Sequence, residues 1–291
     1  MSAKRSRGSI GHNPDEDVPE AILMRKGATT TAAVSVEVRN LLSQGRIEAA
    51  NLVEWLVVDH VRLLTVVCDE FQWQHLLPLL VDRLNGIVSP TSPKRIAVTG
   101  QTLAELLTTK KAVRAAARSL QQHRSDTVRC WGCHLIGASE HFSVPEKLEM
   151  IQVFAADENM GVREMAWMAM RGFVVEDPDS MVAQLVPLVS DPSDRIRRFA
   201  TELTRPCGVW CRHVRELRQN PEIGLPLLEP LRSDPSKYVR DSVANWLNDA
   251  SKSCPEWVIE TCDRWTVESP TESTAKIVRR ALRTIRGKTE T

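Results

Sequence analysis

Apolar residues recur at three- and four-residue spacing along nearly the whole chain after residue 33, and no stretch alternates apolar and polar with a period of two. That spacing sets one side of a helix, not one face of a strand, against a core. Leu52, Val53, Leu56, Val57 and His60 share one such face, and Leu103, Leu106 and Leu107 share another. The periodic segments run for roughly 10 to 16 residues and break at Pro, Gly or Ser-Asp pairs, so the pattern predicts an all-α chain of short helices. Residues 1–33 mix Gly, Ser, Pro, Thr and charges without a helical period. They read as a mobile tail ahead of one helical domain over 34–288.

The helices repeat. A Val-Arg or Ile-Arg pair opens a helix five times, at Val128-Arg129, Val162-Arg163, Ile196-Arg197, Val239-Arg240 and Val278-Arg279, with 34, 34, 43 and 39 residues between successive arginines. In three units an Asp stands six residues before the Arg: Asp157, Asp191 and Asp234. Two units share Ser-Asp-Pro-Ser, at 190–193 and 233–236. Such small polar side chains accept the free N–H groups at a helix start, and a proline suits a first turn. A period of roughly 40 residues with two helices per unit matches a HEAT-like array. Each unit buries its apolar face only by stacking on its neighbours, so the expected architecture is a curved α-solenoid with a concave basic groove. The Asp-to-Arg spacing reads first as a ladder holding adjacent repeats in register. The same arginines, in a row on a concave surface, also suit phosphates.

Composition narrows the picture. Of the 291 residues, 42% are hydrophobic and 26% charged, which suits a folded chain. No apolar run approaches membrane-spanning length; Leu76-Leu77-Pro78-Leu79-Leu80-Val81 is among the longest. The basic start, Met1 to Gly8, leads into no apolar stretch, so no secretory signal is visible. Seven cysteines without an export signal point to a reducing, cytoplasmic interior with free thiols. The net charge of +1 hides an uneven distribution: Ser193–Arg240 and Pro270–Thr291 are each +4. Basic segments of that size are compatible with a polyanionic partner. Cys130-Trp131-Gly132-Cys133-His134 fits the c-type haem pattern on paper. Cys130, Cys133, Cys207 and Cys211 fit a four-thiolate zinc site on paper. Both pairs fall in helical sequence without export or βαβ context, and buried free thiols account for them better.

Two stretches carry the chemical information. In Arg195-Ile196-Arg197-Arg198-Phe199-Ala200-Thr201-Glu202-Leu203-Thr204-Arg205-Pro206, the side chains of Arg198, Glu202 and Arg205 share a helical face, with Trp210 following. In Tyr238–Asp249, the residues Val239, Val243, Trp246 and Ala250 form an apolar stripe. Ser242, Asn245 and Asp249 make a polar row beside it. A carboxylate at the edge of a buried stripe is a partly desolvated acceptor that can hold a cation or orient water. The plainer alternative is that Asp249 and Asn245 only satisfy backbone groups between repeats.

These motifs, Arg-Arg-x-Ala-Thr-Glu-x-x-Arg-Pro, then Trp, then Val-Arg-x-Ser-Val-Ala-Asn-x-Leu-Asn-Asp, resemble the HEAT-like AlkC/AlkD superfamily of bacterial alkylpurine DNA glycosylases. The resemblance is nearer the AlkC side and covers about residues 100–286. It implies a concave surface that holds damaged duplex DNA, and hydrolysis of the N-glycosidic bond of positively charged N3- or N7-alkylpurines. It implies no metal or nucleotide cofactor. It assigns Asp249 and Glu202 as catalytic or lesion-proximal acids and Trp210 as an aromatic against the lesion, with Arg198 on the DNA backbone. Trp167, Glu164 and Asn245 join the expected substrate contacts, and Arg163, Arg205, Arg212 and Arg240 the expected phosphate contacts.

One departure stands out. Where the AlkC-like pattern reads Ser-Glu-Phe-Ala-Ile-Arg-Pro-Phe, this chain has Ala166-Trp167-Met168-Ala169-Met170-Arg171-Gly172-Phe173, so Trp167 takes a carboxylate's place. Glu164 lies one turn back on roughly the same face and is the candidate for a displaced carboxylate. Two functions therefore remain open: a glycosylase, expected as a monomer, or a non-catalytic HEAT-like module that binds DNA or a protein.

Overall fold

The computed structural model describes residues 18–208 and 211–289. Its helices are α1 (Glu20–Leu23), α2 (Val36–Ser43), α3 (Leu52–Trp55), α4 (His60–Glu70), α5 (Leu77–Asn85), α6 (Ser92–Leu106), α7 (Lys110–Gln121), α8 (Asp126–Ala138) and α9 (Val144–Ala155). They continue as α10 (Met160–Glu176), α11 (Pro178–Leu185), α12 (Asp194–Thr204), α13 (Arg215–Gln219), α14 (Leu225–Leu228), α15 (Lys237–Ala250), α16 (Pro255–Glu268), α17 (Glu272–Ala281) and α18 (Arg283–Thr289). No strand occurs among the described residues. Helices α6, α8, α10, α12, α15 and α17 pack one against the next in a single layer, and α7, α9, α11 and α16 pair with them as a second layer. This is the expected all-α, HEAT-like stack. Helices α6 and α8 approach so closely that a Cβ on Gly100 would stand 2.5 Å from the Trp131 carbonyl oxygen, which restricts the position to glycine.

A clasp built from the repeated Asp and Arg starts the inner helices. The Asp157, Asp191 and Asp234 carboxylates each accept the N–H two residues on, at 2.7, 2.8 and 2.8 Å. The arginine six residues later returns to the same turn: Arg163, Arg197 and Arg240 donate to the carbonyls of Asp157, Asp191 and Asp234 at 2.7, 2.8 and 2.9 Å. The clasp also links repeats. Arg129 pairs through two nitrogens with Asp157 (2.8 and 3.1 Å), and Arg197 does the same with Asp234 (2.8 and 3.1 Å). Bidentate pairs fix both distance and orientation, so each clasp sets the stagger of one inner helix on the next. Arg163 breaks the series: its Nε donates to the Tyr238 hydroxyl at 3.0 Å.

Three local expectations change. Pro192 and Pro235 do not enter a first turn; Ser193 and Ser236 are the N-caps, so each proline precedes its cap. Val278-Arg279 does not open a helix, because α17 begins at Glu272 and the pair falls in its second half. The face drawn through Leu52, Val53, Leu56, Val57 and His60 is split between α3 and α4, where Asn51 and Asp59 cap separate starts. Leu52 and Leu56 are exposed, and Trp55 and Val58 take the buried positions.

The N-terminal segment crosses to the repeat stack. Arg25 forms an ion pair with Glu54 at 2.6 Å. The Ala49 N–H donates to Asp126 at 3.1 Å, Arg129 donates to Glu48 at 2.5 Å, and the Asn159 amide donates to Glu48 at 3.2 Å. These contacts hold α3 against the starts of α8 and α10. Residues 1–17 of the expected tail lie outside the described residues.

Cys130 and Cys133 are buried in α8, and burial pushes both thiols well above their ordinary value, which makes them unreactive. Burial lowers the pKa of His60 and of His134 to about 4. An unfolded chain therefore takes up protons below about pH 6.5 that the folded chain refuses until about pH 4. Stability from these two residues is complete above pH 6.5 and falls as the pH drops towards 4, by up to about 3 kcal/mol for each histidine. Urea midpoints measured from pH 7.5 to 4 are expected to fall steeply for the native sequence and less steeply for His134→Leu. Equal slopes would refute this assignment.

Candidate active site

A cavity of about 310 Å³ opens where α3 meets the starts of α8 and α10 and the faces of α12 and α15. Its apolar wall includes Leu52, Trp55, Met160, Met165, Trp167 and Met168. Its polar wall includes Glu164, Arg198, Glu202, Arg205 and Asn245. Trp55 packs so closely on the start of α10 that a Cβ on Gly161 would lie 3.0 Å from its ring.

The polar wall is a ribbon of alternating charge. The Trp167 indole donates to Glu164 at 2.8 Å, and Arg198 donates to the other Glu164 oxygen at 2.8 Å. Arg198 also stands 3.5 Å from Glu202. Arg205 donates to Glu202 at 3.2 Å and pairs with Asp249 at 2.8 Å. Lys252 closes the far end, 2.9 Å from the second Asp249 oxygen. The i, i+4 and i+3 spacings on α12 align Arg198, Glu202 and Arg205 on one face, and the packing of α10 and α15 on either side supplies the remaining carboxylates. Side chains of Glu202 and Asp249 are about 5% and 4% exposed, so their charges are tolerable only because cations flank them. Burial pulls the Arg198 and Arg205 pKa values down, but Glu202 with Glu164, and Glu202 with Asp249, outweigh it and raise both. The Arg198 guanidinium also lies 4.3 Å from the centre of the Tyr238 ring, which Arg163 approaches from 5.3 Å.

The residues singled out from the sequence therefore divide. Glu202, Trp167, Glu164, Asn245, Arg198 and Arg205 line the cavity. Asp249 lies one guanidinium behind the wall, in contact with Arg205. Arg163 reaches the group through Tyr238 while holding the Asp157 and Glu158 carbonyls. Arg240 holds the Asp234 and Pro235 carbonyls and borders a separate hollow. Arg212 borders another cleft beside Glu176, Asp177 and Asp179. Trp210 lies outside the described residues.

The architecture has known counterparts. The alkylpurine DNA glycosylase AlkC of Pseudomonas fluorescens, bound to DNA containing an abasic site analog, superposes with a TM-score of 0.65 over 89% of this chain and 65% of its own, at 23% identity. AlkD2 of Streptococcus mutans superposes with a TM-score of 0.57 over 72% of this chain and 97% of its own, at 22% identity. The protein smu.31 of Streptococcus mutans UA159 gives 0.53 over 77% and 98%, at 18% identity. The fold is that of the AlkC and AlkD glycosylases. No protein-family model matches the chain. An uncharacterized protein of Bacillus subtilis (strain 168), YhaZ, is 38% identical over 117 residues, which is 40% of this chain and 32% of that protein. The chain thus aligns with about a third of that relative and just under two thirds of AlkC.

Several residues of this AlkC-like scaffold escaped the sequence reading. Trp55, Asn51 and Leu52 come from a segment with no recognisable motif, and they reach the cavity only because the Glu48–Asn51 loop docks on α8 and α10. Asp126 also lines the cavity; it is fully buried, and burial pushes its carboxyl up to about 7. Tyr238, the one tyrosine of the chain, carries no motif of its own, yet its ring and hydroxyl meet Arg198 and Arg163.

Arg205 is expected to be the most sensitive position. Arg205→Ala leaves Glu202 and Asp249 buried without their shared cation, and urea unfolding at pH 7 should show a loss of about 3–5 kcal/mol. Adding Glu202→Gln and Asp249→Asn should recover most of it. A loss below about 0.5 kcal/mol, as for an ordinary surface change, would show that Arg205 does not bridge the pair.

Proposed function

We propose that the chain hydrolyses the N-glycosidic bond of positively charged N3- or N7-alkylpurines in duplex DNA. The observation that carries this reading is the row of carboxylates and guanidiniums Glu164–Arg198–Glu202–Arg205, which lines a cavity with Trp55 and Trp167 and continues behind the wall to the buried Asp249.

The chemistry follows from the charges. An alkylated purine that is already cationic leaves as a neutral base, taking the electron pair of the bond to C1′, and needs little help from an acid. The sugar becomes an oxocarbenium-like cation. Fixed carboxylates in a site shielded from water stabilise that charge as it forms, without having to reorganise. Water adds to C1′ and one of its protons passes to a carboxylate, which completes the hydrolysis. Glu202 and Asp249 take these roles, and Glu164 supplies a carboxylate close to Trp167. Arg198 and Arg205 hold the acids in place. The Trp55 and Trp167 rings attract the cationic base through their electron-rich faces, worth about 0.5–2 kcal/mol. The base is recognised at the cavity mouth and does not have to be drawn into a deep pocket. Duplex DNA is held by Arg163, Arg198 and Arg240, and Asn245 sits at the border of the site.

A second reading, a HEAT-like module that binds without excision, is favoured by one observation. Both Asp249 oxygens are engaged, by Arg205 and Lys252. Base release from duplex DNA carrying 7-methylguanine and 3-methyladenine separates the two. The native sequence is expected to release both bases, and Asp249→Asn or Glu202→Gln to release them about a hundred-fold more slowly or worse. Release by the native chain no faster than by Asp249→Asn would remove the enzyme reading and leave the module.

A further inference from the structure

Beside the central cavity, α15 and α17 enclose a second hollow of about 390 Å³, lined by Lys237, Arg240, Asp241, Lys276, Arg279 and Arg280. Two triads with the same i, i+3, i+4 spacing, 237-240-241 on α15 and 276-279-280 on α17, face each other across it. Five of the six side chains are cations. Asp241, the single carboxylate in the lining, is shared between Lys237 at 2.5 Å and Arg280 at 3.0 Å. Lys276 reaches Glu272 at 2.8 Å, and Arg279 is exposed and takes part in no ion pair among the described residues. The hollow therefore holds more positive charge than its own residues neutralise. The neighbouring Arg283 is affected as well: burial first and then Arg280 lower its pKa below the ordinary arginine value.

The hollow is joined to the central site by one set of side-chain contacts. Arg280 and Arg283 both donate to the Asn245 side-chain oxygen, at 3.3 and 3.1 Å, and Asn245 lines the central cavity. A strand whose nucleotide occupies that cavity would pass Asn245 and meet these cations next. The basic α7 helix differs: its Lys110 and Arg114 are both engaged with Glu146 and lie in the second layer.

We infer that the α15/α17 hollow is a phosphodiester-binding site that takes the backbone of the DNA strand running out of the central cavity. The inference rests on the reading of that cavity as a DNA site and adds to it the place where the flanking phosphates dock. Singly charged phosphate groups, spaced along a strand, match cations set along two parallel helix faces. Their binding would release the condensed counterions of the duplex. Lys276 and Arg279 are the groups most available for it, because neither is needed to hold a helix start.

The test is the salt dependence of binding to an undamaged duplex, followed by fluorescence anisotropy from 50 to 300 mM salt. The native chain is expected to bind with a steep negative slope of log K against log salt. Lys276→Gln combined with Arg279→Gln should make that slope shallower by about 1.8, since each lost phosphate contact removes about 0.9. Lys111→Gln combined with Arg118→Gln, on α7, should leave the slope unchanged. Circular dichroism melts of all variants are expected to match the native chain, because these side chains are exposed. If the native chain binds steeply and the α17 variant matches it, the hollow is not a phosphate site, while the DNA reading stands. If the native chain itself shows no salt-dependent binding, both readings fall.

Discussion

The arrangement depends on how one inner helix is staggered against the next. Hydrophobic stacking alone would let neighbouring helices slide, because apolar contact is non-directional. The paired hydrogen bonds of Arg129 to Asp157 and of Arg197 to Asp234 remove that freedom. Each clasp also terminates a turn, so it fixes both where a helix begins and where it lies. With α10 fixed on α8 and α15 fixed on α12 in this way, two arginines of α12 join Glu164 of α10, Glu202 and Asp249 of α15. A displacement of one residue would break the ribbon and leave buried charges unpaired.

The ribbon is costly to assemble. Burying carboxylates to about 5% exposure carries a desolvation cost that the cations within hydrogen-bonding distance offset. A set of fixed charges in a partly dry cavity stabilises a developing cation without reorganisation. The aromatic and methionine wall opposite keeps the local dielectric low. A groove built only for phosphates would be lined by exposed cations, as in the α15/α17 hollow. The two regions are linked through Asn245, which lines the cavity and accepts from Arg280 of the hollow.

The Arg163 exception shows how the repeat is adapted. In the other two linking arginines the guanidinium serves the next repeat, but Arg163 turns to Tyr238, two repeats on in sequence. Tyr238 then offers its ring to Arg198, the central cation of the ribbon. Arg163 thus holds its own helix start and also supports the site through an aromatic intermediary. Arg171 makes a related contribution, holding the Leu203, Arg205 and Arg212 carbonyls and so fixing the segment that follows α12.

The local rules are legible in the amino-acid order alone: the helical period, the repeat, the Asp-to-Arg spacing, and the alignment of Arg198, Glu202 and Arg205 on one face. These follow from contacts within a few residues, where spacing and geometry are equivalent. The amino-acid order also points to Glu164 beside Trp167, one turn apart on the same helix. Packing alone sets Arg205 between Glu202 and Asp249, brings Trp55 and Asp126 to the same cavity, and leaves Arg212 away from it. The reason is physical. Trp55 arrives through a loop that docks onto residues 77 and more positions away, and no period or motif encodes which surface a loop will cross. The partners of a long cation are likewise chosen by burial, which appears only once the helices have packed.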